Sequence, residues 1–209
     1  MKIKKIVATT LVMAMALSFA ACSASGTKTM QKALTEEDWT EYEYKDFKKL
    51  DGSDDEIEDG VFLYTTDEKD IKKQIKKFYY SDVDEDDVAS FLMGAKRFTN
   101  DNSSRVAVVA IEFKDKDSAE DAFDDIYDLF EDASKGDYLK TIGYEDADED
   151  DYYILYVNDG DNYITKAVYL EGKTVIIIDG SGYDKNGKKM SEEIDAICED
   201  AKLQVPSDI

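Results

Sequence analysis

Carboxylates are the most abundant reactive groups in this chain: 49 Asp and Glu stand against 26 Lys and Arg, and there is no histidine. The missing imidazole removes Ser-His-Asp and Cys-His catalysis and every zinc site that needs a neutral ring nitrogen. Paired carboxylates, an oxygen-ligated cation, or a nucleophile activated without histidine are what remain. The acids are densest over residues 145–161, where Asp146, Asp148, Asp150, Asp151, Asp159 and Asp161 are joined by Glu145 and Glu149 without a base. Calcium takes six to eight oxygen ligands, so such a stretch raises the question of a calcium loop. No segment keeps the register. In residues 184–193, Asp184 and Asn186 suit the first and third EF-hand positions, but Lys188 stands at the fifth and Lys189 where glycine is needed. The expectation is a solvated acidic surface with weak divalent cation binding and no specific metal or cofactor site.

Nucleophile patterns are equally sparse. Ser25-Gly26-Thr27-Lys28 matches Ser-x-x-Lys but lies in a short polar stretch expected to be a tether, and Asp179-Gly180-Ser181-Gly182 lacks the first glycine of a nucleophile elbow. The glycines near Ser181 do not lead into the Gly-Lys-[Ser/Thr] run of a phosphate loop. Cys198 falls in line with Ile194, Ile197 and Ala201 at helical spacing, with no Lys or Arg beside it to lower its pKa, and reads as a small buried hydrophobe. No catalytic residue is therefore assigned; a hydrolase using two carboxylates stands as the alternative enzyme reading.

The net charge of −23 opposes binding to nucleic acid, which needs clustered cations to neutralise phosphates. One basic stripe exists: Lys69, Lys72, Lys73, Lys76 and Lys77 lie opposite Ile71, Ile75 and Phe78 on an expected helix. It suits either anionic headgroups and wall polymers or, as the favoured reading, the solvent face of a core-packed helix beside acidic loops. Fourteen tyrosines offer a surface for sugars or peptides. Tyr152, Ile154 and Tyr156 against Tyr153, Leu155 and Val157 make one strand apolar on both sides, so it is either covered twice or keeps one face for a partner. Burial is the default expectation.

The N-terminus supplies an address. Three lysines in the first five residues precede an uncharged run over residues 6–21, then Cys22 and small polar residues. These are the parts of a secretory signal, and sixteen residues are short for a span of ~20. Phe19-Ala20-Ala21-Cys22 resembles the lipobox of bacterial lipoproteins, with Phe19 where that class more often has Leu. The resemblance implies lipid attachment at Cys22: cleavage before it, a thioether-linked diacylglycerol on its sulfur, and a further acyl chain such as palmitate on the new amine. Each buried methylene contributes about 0.8 kcal/mol, so one chain holds a protein marginally and two hold it stably. Loss of the three lysines takes the net charge from −23 to −26. A bacterial cell membrane, on its extracytoplasmic side, is the implied location.

Residues 1–21 are then a signal peptide, 22–34 the lipidated cysteine and a flexible tether, 35–60 an irregular acidic lead-in with Trp39, and 61–205 a single domain. Within it, strands are predicted over 61–65, 105–113, 152–157, 163–170 and 173–179, the last three as a meander whose second link, around Gly172, is a tight hairpin. Residues 84–98 fit strand or helix, with Gly94 weighing toward strand. Helices are predicted from about 68 to 79, from about 117 to 133 with Asp117 and Glu120 as capping box and Ala119, Ala122, Phe123, Ile126, Leu129 and Phe130 buried, and after a glycine-rich loop (180–189) with Ser191 as N-cap. The fold class is α+β, a two-layer sandwich of mainly antiparallel sheet with helices on one face, ferredoxin-like in its βαββαβ order over 61–144. The functional expectation is a membrane-anchored, non-enzymatic binding or interaction module. Its partner would be a protein or cell-wall component, or the chain an accessory subunit of an envelope complex.

Overall fold

Residues 174–178 read Thr-Val-Ile-Ile-Ile, β-branched throughout, and they form the start of a strand in the middle of one eight-stranded sheet. The structure, a computed structural model, describes residues 26–50, 55–76, 83–99, 103–136, 139 and 144–209. Its elements are α1 (Gly26–Glu36), β1 (Thr40–Glu41), α2 (Tyr44–Phe47), a 3-10 turn (Asp55–Glu58), β2 (Val61–Thr65), α3 (Glu68–Ile75), β3 (Val88–Arg97) and β4 (Arg105–Phe113). There follow α4 (Lys116–Ser134), β5 (Glu145–Glu149), β6 (Tyr152–Asn158), β7 (Asn162–Glu171), β8 (Thr174–Tyr183), α5 (Asp184–Ala201) and a last 3-10 turn (Pro206–Asp208). The strand order is β1-β2-β3-β4-β8-β7-β6-β5. Every neighbouring pair is antiparallel except β1 with β2.

The α+β class and the mainly antiparallel sheet are as expected; the layering is not. Val106, Val108, Ala110, Ile154, Tyr156, Ile176 and Ile178 pack under α1 and α5. Their strand neighbours Val109, Ile111, Tyr153, Leu155, Val175 and Ile177 pack with Ile71 and Ile75 of α3 and Phe123, Ile126 and Phe130 of α4. Side chains alternate across a strand, so these are opposite faces, and the helices cover both. The result is three layers rather than two, because the central strands are apolar on each side. The βαββαβ order appears along the chain, but β2, β3 and β4 pair as sequential neighbours and β5 sits at the far edge.

Residues 88–97 are strand, and Gly94 shows why a glycine is needed there. A Cβ on it would stand 2.9 Å from the Trp39 ring and the Val61 carbonyl oxygen. The turn between β7 and β8 is a two-residue hairpin loop, since Glu171 pairs with Thr174. Positive φ falls on its first residue alone, Gly172 at 66°, as in a type II′ turn.

Three local expectations fail for identifiable reasons. Asp115, not Asp117, caps α4, accepting a hydrogen bond from the Ser118 amide at 2.9 Å, and of the six stripe residues Leu129, at the edge of the buried face, is 44% exposed. Residues 180–189 are no loop: β8 continues to Tyr183 and α5 starts at Asp184, which puts Ser191 inside the helix. The glycines there serve packing. The flexible tether over 22–34 is also corrected from residue 26 on: α1 is a docked helix, with Met30, Ala33 and Leu34 fully buried against the sheet and α5. Thr27 and Met30 lie three apart and Leu34 a turn beyond, an apolar stripe carried by otherwise polar residues.

The contact between α5 and β8 allows a test of packing against propensity. A Cβ on Gly187 would lie 2.6 Å from the Gly182 carbonyl carbon and 2.8 Å from its oxygen. Alanine is better than glycine in a helix by about 1 kcal/mol, whereas overpacking costs about 1–3 kcal/mol. Both facing groups are backbone and cannot swing aside, so the steric term wins. Gly187→Ala is expected to lower the denaturant midpoint, by about 1–2 kcal/mol in stability; an unchanged or higher midpoint would contradict the contact.

Candidate functional site

The chain between α1 and β2 turns back across the sheet and carries its acids with it. Glu36 and Glu37 end α1, Asp38 takes positive φ (63°) to reverse the chain, and Trp39 enters the core 3% exposed. Its indole N–H donates to Glu193 Oε1 of α5 at 2.6 Å. Lys96, at the end of β3, forms an ion pair with the same carboxylate and lies 6.0 Å from the Trp39 ring and 5.7 Å from that of Phe98. Beside it, buried Arg97 pairs with Glu58 at 3.0 Å.

Beside this cluster lies a cleft of about 600 Å³ lined by Glu36, Glu37, Asp38, Thr40, Glu58, Asp59, Lys96 and Glu193. Burial, reinforced by Glu193 and Asp200, pushes the Glu37 carboxyl above its ordinary range. Of its six carboxylates, Glu36, Glu58 and Glu193 are paired with Lys32, Arg97 and Lys96; with Glu37, Asp38 and Asp59 added the lining is net acidic and suits cationic or hydrogen-bond-donating groups. Its residues come from four separated stretches. The local signal in the sequence was the single Trp placed directly after Glu36-Glu37-Asp38.

The residues singled out from sequence do not converge. Cys22 and Ser25 lie outside the described residues, as do Lys77 and Phe78; Lys28 is exposed on α1. The acids of 145–161 are spread along edge strand β5 and over turns at opposite ends of β6. Asp159 is occupied locally, accepting from the Asp161 and Asn162 amides at 3.0 and 2.7 Å, which hold its carboxyl below the ordinary range. Asp184 and Asn186 are helical residues of α5. Among the described residues, no three His, Cys, Asp or Glu side chains are grouped to hold a metal ion.

The other candidates are absorbed by packing. Lys72, Lys73 and Lys76 reach Asp86, Asp70 and Glu85. Tyr153 meets Tyr127 edge-on at 5.3 Å, and Tyr156 lies 3.3 Å from Ser191 Oγ, so β6 is covered on both faces. Ser181 stands mid-strand, and Asp179 pairs with Lys166 at 3.0 Å. Cys198 is fully buried, its thiol pushed up to about 12 by burial, 3.7 Å from the Tyr169 hydroxyl.

Two measurements probe this electrostatic arrangement. Removing one member of a largely desolvated pair leaves the other uncompensated, a penalty of about 3–5 kcal/mol when burial is full. The Lys96 and Glu193 side chains keep 16% and 13% exposure, so Glu193→Gln is expected to cost about 2 kcal/mol. Adding Lys96→Met should recover much of that loss; strictly additive effects in the cycle would contradict the coupling.

The second measurement is pH dependence. Burial raises the carboxyls of Glu37, Glu171 and Asp195 above their ordinary values, so the folded state holds these protons more tightly than the unfolded chain. Stability must then rise as pH falls from neutral toward the ordinary carboxylate range. Asp46, Asp86, Asp115 and Asp159 are shifted downward, and their contribution is lost only at lower pH. A melting temperature that increases from pH 7 to about 5 is expected, with the gain flattened in Glu37→Gln/Glu171→Gln/Asp195→Asn. A steady fall over that interval would contradict it.

No family model matches the chain, and no curated protein matches it. Three solved chains do, among them the extracellular domain of PknH from Mycobacterium tuberculosis, 11% identical with a TM-score of 0.32. That likeness covers 54% of this chain and 63% of the domain, under two thirds of its length. No helix among the described residues is long and apolar enough to cross a membrane.

Proposed function

We propose that the chain is a lipid-anchored bacterial lipoprotein of the extracytoplasmic membrane surface, and that its acidic domain is a non-enzymatic binding module. The observation that carries the reading is Phe19-Ala20-Ala21-Cys22 after a basic start and an apolar run. Two features of the folded part support it. Its core begins at α1, four residues after Cys22, so the lipid and the domain are neighbours in sequence. Ser181, Cys198 and the β6 tyrosines are each engaged in packing or strand structure, and among the described residues the acidic cleft beside Trp39 is the largest hollow that brings several elements together. Cationic groups of a protein or cell-wall component suit its carboxylates.

The anchor is tested at its one residue. In cells that express it, the wild-type protein should sediment with membranes, with the mass of a diacylglyceryl-modified Cys22 at its N-terminus. Cys22→Ala should be recovered in the soluble fraction. A Cys22→Ala protein that stays with the membrane would overturn the assignment.

A further inference from the structure

We infer that the anchored domain is seated on the bilayer in one orientation, with the end of the sheet where β3 begins and β4 ends against the headgroups. This inference rests on the lipoprotein reading above and adds to it a contact surface, the partner being the lipid surface that holds the anchor.

Little chain separates Cys22 from a fixed point. α1 starts at Gly26, and four residues span at most about 14 Å. Thr27 is fully buried, and its hydroxyl lies 2.7 Å from Ser90 Oγ and 3.1 Å from Glu112 Oε2, tying the first turn to β3 and β4. A Cβ on Gly26 would meet the Thr174 side chain at 2.6 Å, so the helix start is pressed onto β8 as well. Below it, Met30, Ala33 and Leu34 are fully buried. The helix cannot peel away to lengthen the leash without exposing that core to water.

Antiparallel pairing fixes what else lies at this end. The start of β3 faces the end of β4, and the end of β4 faces the start of β8. Lys114 follows β4, Lys173 sits on the hairpin before β8, and Lys28 is on the first turn of α1; all three are exposed. The ammonium groups of Lys114 and Lys173 rest on the backbone carbonyls of Asp86 and Lys114. The cleft beside Trp39 is at the other end of α1, about 15 Å further from the anchor. It therefore opens away from the membrane.

The two ends of β7 make the test. Lys173 lies two residues past its last residue and Asp161 adjoins its first, about 30 Å apart. In the lipidated protein Cys22 is occupied and Cys198 is buried, so a cysteine introduced at Lys173→Cys or Asp161→Cys is the accessible thiol. Each variant is labelled with a small fluorophore in phosphatidylcholine vesicles that carry a headgroup nitroxide lipid. Quenching is expected to be several-fold stronger at 173 than at 161, and a ten-residue Gly/Ser insertion before Gly26 should abolish the difference. Equal quenching in a protein that floats with the vesicles overturns the seat and leaves the anchor standing. Asymmetry that survives the insertion overturns the short leash as its cause. A wild-type protein that lacks the Cys22 lipid and does not float overturns both.

Discussion

β8 carries Val175 and Ile177 toward one side of the sheet and Ile176 and Ile178 toward the other, and all four are almost wholly buried. Burying such a side chain contributes about 1.5–3 kcal/mol, and β4 and β6 repeat the pattern on either side of it. A sheet built on these strands cannot leave either face to water. α3 and α4 cover one. The other is too wide for α5 alone, and α1 supplies the rest by packing over Phe62, Leu92, Val106 and Val108. Residues 26–36 are thus part of the cover that the core requires.

The sheet's edges are handled by charge and length. β5 ends one side as Glu-Asp-Ala-Asp-Glu, mostly exposed, and like charges along a strand oppose pairing with a second copy. It is held from within, since the Tyr127 hydroxyl bonds to Asp148 and is raised by that carboxylate. The other edge, β1, is two residues long and offers little to pair with. Most of the ion pairs are exposed links such as Lys116 with Glu120, which contribute little. The cluster of Trp39, Lys96 and Glu193 differs in being largely desolvated and in joining three elements.

β2, β4, β6, β7, β8 and the helix over 116–134 were legible because their apolar residues repeat at periods that one segment reveals, whereas β3 fitted either period and the short β1 and acidic β5 carry no apolar repeat. α1 was not legible: Gly26-Thr27-Lys28-Thr29 is small and polar, and its stripe of Thr27, Met30, Ala33 and Leu34 gains meaning only against the uncovered face of β3 and β4. The start of α5 was hidden for a related reason. Gly180, Gly182 and Gly187 read as punctuation of a loop, whereas they mark where Ile194, Met190 and the facing backbone approach too closely for a side chain. The cleft was illegible because residues 36–40, 58–59, 96 and 193 meet only through the pairing of β2 with β3 and the packing of α5. In each case the missing information was a tertiary contact.

Under the proposed anchoring, a chain this acidic would have to be compatible with a membrane whose headgroups are partly anionic. Repulsion between exposed charges decays over about 8 Å at physiological ionic strength. At the end of the sheet where α1 begins, two acids are offset in place: Lys72 and then Lys114 hold Asp86 below its ordinary range. The Ser118 amide, and after it Lys173, do the same for Asp115. The carboxylates that line the cleft lie about 15 Å beyond, outside that screening distance. The same end carries Asp84, Asp87, Asp121 and Asp125 around one hollow, so the proposed seat would rest on the short leash and not on charge, while the cleft beside Trp39 would be held where a cationic partner, and not the bilayer, determines the electrostatics.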